Sequence, residues 1–147
     1  MNQKNNFRKL EFFPLKTVER LEKMDKLIVE NKINRKALIT QLSQIGGTDI
    51  KSLTFNILRR TLSDPVSSLF SYVGGKKKRS FFDLHLRSII FGAVRIYFPD
   101  ATEQIISVPV KSWLRHASER NERNVNKMKN VEHVSEQDDQ DDASLSD

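Results

Sequence analysis

The chain has 147 residues and contains no cysteine. That absence excludes a disulfide framework, thiolate zinc ligands and thiol catalysis, and it fits a reducing compartment. No apolar run reaches the roughly 18 residues that a membrane span requires. The opening segment MNQKNNFRK lacks the apolar stretch of a secretion signal. Together these absences predict a soluble protein inside the cell with no membrane association. Catalytic patterns are missing as well. There is no nucleophile elbow of the GxSxG type, and neither glycine pair is followed by a phosphate-cradling GK[ST] or GxxG pattern. His85, His116 and His133 lie far apart, with no HExxH or paired-carboxylate pattern beside them. The sequence therefore predicts no catalytic residue, no metal site, no cofactor and no enzymatic activity.

What the chain does hold is charge, divided by position. Residues 1–129 carry all 25 Lys and Arg against 12 acids, a net of 25 − 12 = +13, whereas residues 130–147 carry 7 acids and no Lys or Arg. A cationic body attracts polyanions, and an anionic tail competes for the same surface.

Hydrophobic periodicity is helical throughout. In the FFPLK segment at 12–16, the step into Pro14 favours extended backbone and predicts an arm lying on the core. Thr17 is a suitable cap for a first helix with Leu21, Met24, Leu27 and Ile28 on one face. Asn34 opens a second helix (Ala37, Leu38, Leu42, Ile45) that Gly46-Gly47 stops, and Asp49 opens a third with Leu53, Ile57, Leu58 and Leu62 inward. Asp64-Pro65 reads as a cap and first helical position of a short fourth turn. Gly74-Gly75 and the run Lys76-Lys77-Lys78-Arg79 predict an exposed loop. The densest apolar stretch, Asp83 to Phe98, predicts the central helix, with Tyr97 on its inward face. Proline inside a helix costs about 3 kcal/mol, so Pro109 predicts a short turn at 102–106 and a new helix from 109. Val110, Trp113, Leu114 and Ala117 would form its inward stripe. From 118 on, helix-forming charges with few anchors predict a helix end that projects and frays.

The predicted fold class is all-α: a compact bundle of five or six short helices with an extended N-terminal arm and a disordered acidic C-terminal tail. The domain boundaries follow: 1–11 a flexible N-terminus, 12–120 a single helical domain, and 121–147 a fraying basic helix end and acidic tail.

FPLKT at 13–17, LITQLSQIGGTDIKSLTFNILRRTLSD at 38–64 and WLRHASER at 113–120 together resemble an uncharacterised family expanded in arthropods, domain of unknown function 4806. The resemblance spans residues 12–120. It implies a small α-helical module, often found in proteins that also carry DNA-associated or transposon-derived segments, and it brings no catalytic residue. Pro109 interrupts a helix that looks continuous in relatives. A looser likeness to BEN-type DNA-binding domains rests on the Tyr97-Phe98-Pro99 step and the basic C-terminal helix.

Two elements are candidate nucleic-acid sites. Lys76, Lys77, Lys78 and Arg79 present adjacent cations that contact phosphates or serve as a nuclear-import signal; the plainer reading is a solvated loop. Phe81 and Phe82 after them either stack on bases or anchor the loop in the core. Lys111, Arg115, Arg120 and Arg123, with Lys127 and Lys129, make the last helix cationic. Glu119 interrupts that face and is placed to pair with Arg115 or Arg123. Ser135 and Ser144 each stand three residues before an acid, a context for phosphorylation that would add about 1.5–2 negative charges per site. The sequence thus predicts a non-enzymatic, nuclear module that binds DNA or chromatin through phosphate contacts. The alternative is a protein-interaction or homodimerisation domain, with Leu27, Ile28, Ile33 and Phe55 forming a partner groove.

Overall fold

The computed structural model describes residues 13–145, with side chains described through residue 131. Positions 1–11, and the side chains of Ser135 and Ser144, lie outside the described residues. Among those described, the elements in order are α1 (Val18–Val29), α2 (Arg35–Ser43), α3 (Ile50–Thr61), α4 (Asp64–Ser67), β1 (Phe70–Ser71), β2 (Arg79–Ser80), α5 (Leu86–Tyr97), α6 (Glu103–Arg115) and α7 (Ala117–Leu145). The fold is all-α apart from one small ladder.

Local chemistry starts most of these helices where the sequence puts them. Thr17 Oγ1 accepts from the Arg20 amide at 3.1 Å, Asn34 Oδ1 from Ala37 at 3.1 Å and Thr102 Oγ1 from Ile105 at 3.2 Å. Each satisfies an amide that the first helical turn leaves without a partner. Asp49 and Ser52 cap reciprocally: Asp49 Oδ1 accepts from the Ser52 amide at 2.7 Å, and Ser52 Oγ accepts from the Asp49 amide at 3.1 Å. The hydrogen bond from the Ser52 amide holds the Asp49 carboxyl below its ordinary range. At α4 the cap is Ser63, one residue earlier than expected, so Asp64 and Pro65 occupy the first two helical positions.

α5 is the centre of the molecule. Its stripe of Leu86, Ile89, Ile90, Phe91, Ala93 and Val94 is buried, and α2, α3 and α6 pack around it. Tyr97, expected inward, is exposed because the last turn of the helix runs past its neighbours. The start of α5 lacks a cap of its own: His85 makes no side-chain cap bond. Asp25 of α1 supplies one, its two oxygens accepting from the amides of His85 at 3.0 Å and Leu86 at 2.9 Å. A carboxylate on two N-terminal amides also complements the helix dipole.

The arm lies on the core as expected. Phe13 and Leu15 are buried, and Leu15 pairs in parallel with Leu62 through bonds to Thr61 O and from the Ser63 amide. The Phe13–Pro14 bond is cis.

Two expectations about the C-terminal half are corrected. Pro109 does not divide its helix: α6 runs unbroken through it, and the break comes at His116, the C-cap. Proline removes the single amide bond to the carbonyl four residues back. Burial of Ile106, Pro109, Val110, Trp113 and Leu114 against α3 and β1 outweighs that loss. Second, α7 continues as backbone helix to Leu145, past the point where the helix was expected to fray. Every described side chain from 122 to 131 is exposed, so the helix does stand clear of the core.

The groove expected from Leu27, Ile28, Ile33 and Phe55 is absent from the described surface. Ile28 and Ile33 are core residues, and Leu27 and Phe55 pack against the core.

Asp25→Ala should lower stability by about 1–3 kcal/mol in denaturant melts, since it strips the acceptor from two amides, and Asp25→Asn should recover part of the loss. Gly47→Ala should destabilise by about 1–3 kcal/mol or more. A Cβ there would stand 2.4 Å from the Leu53 amide nitrogen, and backbone cannot step aside as a side chain would.

Candidate nucleic-acid interface

The basic run is an ordered reversal rather than a loose loop. β1 and β2 pair in parallel, Phe70 with Arg79 and Ser71 with Ser80, and further bonds run from the Phe81 amide to Ser71 O and from the Phe82 amide to Tyr72 O. Parallel strands are usually joined by a dozen or more residues. Here the chain turns back within residues 72–78, which it achieves with consecutive left-handed residues: Gly74 (φ 83°), Gly75 (φ 88°), Lys76 (φ 49°) and Lys77 (φ 67°). Glycine adopts this region freely, whereas for an L side chain it costs roughly 1–2 kcal/mol per residue. Two lysines are thus kept at the tip of the turn in a conformation glycine would hold more easily. Strain of this kind gathers where function fixes the residue.

The four cations of the run have different fates. Lys76 and Lys77 are exposed. Lys78 Nζ donates to the Ser68 carbonyl, which clips the turn to the end of α4. Arg79 forms an ion pair with Glu22 of α1 at 3.1 Å, so its charge is compensated.

The turn meets α6 at a groove of about 360 Å³ lined by Phe70, Ser71, Tyr72, Lys78, Lys111, Leu114 and Arg115. Lys111 and Arg115, one helical turn apart, face it together. Lys111 Nζ stands 5.2 Å from the centre of the Tyr72 ring, a cation–π contact. Phe81 is fully buried, while its neighbour Phe82 is 45% exposed with its ring 5.9 Å from that of Tyr72. The sequence treats the two phenylalanines alike; the bend and turn that follow β2 bury the first and leave the second partly in solvent.

Arg120 and Arg123 belong to a different concavity, lined by Arg59, Asp64, Trp113, Arg120, Arg123, Asn124 and Lys127. Trp113 is buried as expected. Arg120 and Arg59 lie over its ring at 3.6 and 5.1 Å from the centre, and Phe55 packs at 5.1 Å. Asp64 Oδ1 accepts from Arg120 Nε at 2.9 Å and Asp64 Oδ2 from Asn124 at 3.2 Å. Arg120 Nη2 and Trp113 Nε1 are buried without a hydrogen-bond partner. Trp113 sits about 200° around the helix from Lys111, so the two cationic concavities open on different sides of α6. The predicted cations therefore form two groups: Lys78, Lys111 and Arg115 in one, Arg120 and Arg123 in the other. Glu119, expected to offset an arginine, instead contacts His116 Nδ1 at 3.3 Å.

Sequence reasoning missed Tyr72, Arg59 and Asp64. Nothing local marks them, because each gains its role from a helix far along the chain. Among the described residues no cluster of His, Cys, Asp or Glu is arranged to hold a metal ion, and no helix is long and apolar enough to cross a membrane.

No curated protein and no solved structure matches the chain. The family described as "Domain of unknown function (DUF4806)" matches residues 8–93, which takes in α1 to α4, the basic turn and the first part of α5. The stretch WLRHASER, together with Lys111 and Arg115, lies beyond the matched residues. With more than half of its length matched, this chain belongs to that family of unknown function.

Proposed function

We propose that the protein is a non-enzymatic nuclear module that binds DNA or chromatin through phosphate contacts. The observation that carries this reading is the shared groove. Lys78 from the turn and Lys111 and Arg115 from α6 line one surface although at least 33 residues of sequence separate turn from helix pair. None of the three has a carboxylate partner among the described ion pairs, in contrast to Arg79 and Arg120. Charges left uncompensated beside one another repel, so their grouping favours an anionic partner. Lys76 and Lys77 at the tip extend the positive surface. Phosphate contacts of this kind position a duplex without reading its sequence.

A protein-interaction or self-association domain is the second reading. It draws support from the exposed Ile96 and Tyr97 at the end of α5 and Ile105 and Val108 on α6. Sedimentation at high and low salt separates the two: a dimer insensitive to salt, with no mobility shift of DNA, would replace the first reading by the second.

Binding should weaken steeply with salt, and Lys111→Ala or Arg115→Ala should each reduce the slope of log K against log salt by about 1. Arg79→Ala should change it less. Mobility-shift titrations across a salt series give these slopes, and no binding of DNA at low salt would remove the proposal. Replacing Lys76 and Lys77 together by glycine should raise thermal stability, by about 1 kcal/mol in total once the glycine entropy is offset, while lowering DNA affinity.

A further inference from the structure

We infer that the surface running from Phe82 through Tyr72 to the Lys78–Lys111–Arg115 groove takes a single strand of nucleic acid, with an unpaired base stacked on Phe82. The inference rests on the nucleic-acid reading above and narrows its ligand to strands with exposed bases.

Three observations support it. The first is placement. Phe82 lies 5.9 Å from Tyr72, centre to centre, and Tyr72 lies 5.2 Å from Lys111 Nζ, so aromatic face and cation are neighbours on one continuous surface. Single-strand binders combine these parts: a cationic groove for the backbone and aromatic rings for successive bases.

The second observation is rigidity. The Phe82 backbone is fastened to Tyr72 O at 2.8 Å. Its carbonyl accepts from Arg87 Nε at 3.1 Å, and the Arg87 guanidinium lies 4.1 Å from the ring centre. Arg87 is in turn paired with Glu103 at 3.6 Å. The ring is thus backed on one side by a guanidinium that is itself held, and it needs no rearrangement to offer its remaining exposed area. A ring fixed in advance loses little entropy on stacking.

The third is what the ring does not do for the fold. Phe81 is fully buried and seals the core at this point, while Phe82 leaves 45% of its surface in solvent, next to Val73 at 72%. A duplex keeps its bases stacked on one another and would leave this apolar area uncovered. A single strand covers it.

The test uses the full chain and one labelled oligonucleotide, presented as a single strand and as the duplex of the same sequence, by fluorescence anisotropy at low salt. The single strand should bind more tightly. Phe82→Ala should weaken single-strand binding by about fivefold or more, from the usual contribution of one stacked base, and leave duplex affinity unchanged. Phe82→Tyr should retain the affinity and Phe82→Leu should not, which separates stacking from simple apolar contact. Lys111→Ala should weaken both ligands. Fluorescence of Trp113, the only tryptophan, confirms that each variant is folded. If both ligands bind and Phe82→Ala leaves single-strand affinity unchanged, the stacking site is overturned and phosphate binding stands. If neither ligand binds, both readings fall together.

Discussion

Two hydrogen bonds from the amides of His85 and Leu86 to Asp25 fix the start of the most buried described helix to α1. α5 has the apolar stripe around which α2, α3 and α6 assemble, but no capping side chain of its own. The first amides of a helix have no partner within it, and leaving them unpaired beside the core would be costly. The Asp25 carboxylate meets that demand and sets where α5 begins. The position of α5 in turn determines where the chain re-emerges at Phe98 and Pro99, and packing against α3 and β1 then holds α6 in place. The groove depends on that placement, because α6 supplies two of its three cations.

The basic turn follows a different logic. Its glycines reverse the chain quickly enough for a parallel ladder of two residues per strand, and the left-handed stretch continues through two lysines. The same reversal that strains Lys76 and Lys77 brings Lys78 against Ser68 and lays Tyr72 beside Lys111. Strain and juxtaposition are two results of one backbone path. Partial neutralisation is equally part of the design: Glu22 compensates Arg79 and Asp64 compensates Arg120. The excess charge is therefore concentrated at fewer residues than the count of lysines and arginines implies.

Much of the fold was legible in order. Thr17, Asn34 and Asp49 cap the helices assigned to them, because an N-cap bond closes within three residues and needs no distant partner. The inward stripes of α1, α3 and α5 follow from helical periodicity. Pro109 misled for a related reason: its local penalty is plain in sequence, whereas the apolar burial that outweighs it is not. Tyr97 shares the periodicity of its helix but lies beyond the reach of the neighbouring elements.

The amino-acid sequence by itself determined a helical, cationic chain without thiols or catalytic patterns, the caps that start most of its helices, and the concentration of base in two segments. Those properties are local or compositional, and a few neighbouring residues suffice to set them. Only the tertiary structure decided that Lys78 joins Lys111 and Arg115 while Arg120 and Arg123 gather around Trp113. It also separated Phe81 from Phe82 and brought Asp25 to α5. Each of these depends on residues far apart in the chain and on how the helices pack around them, which is not written in any one segment.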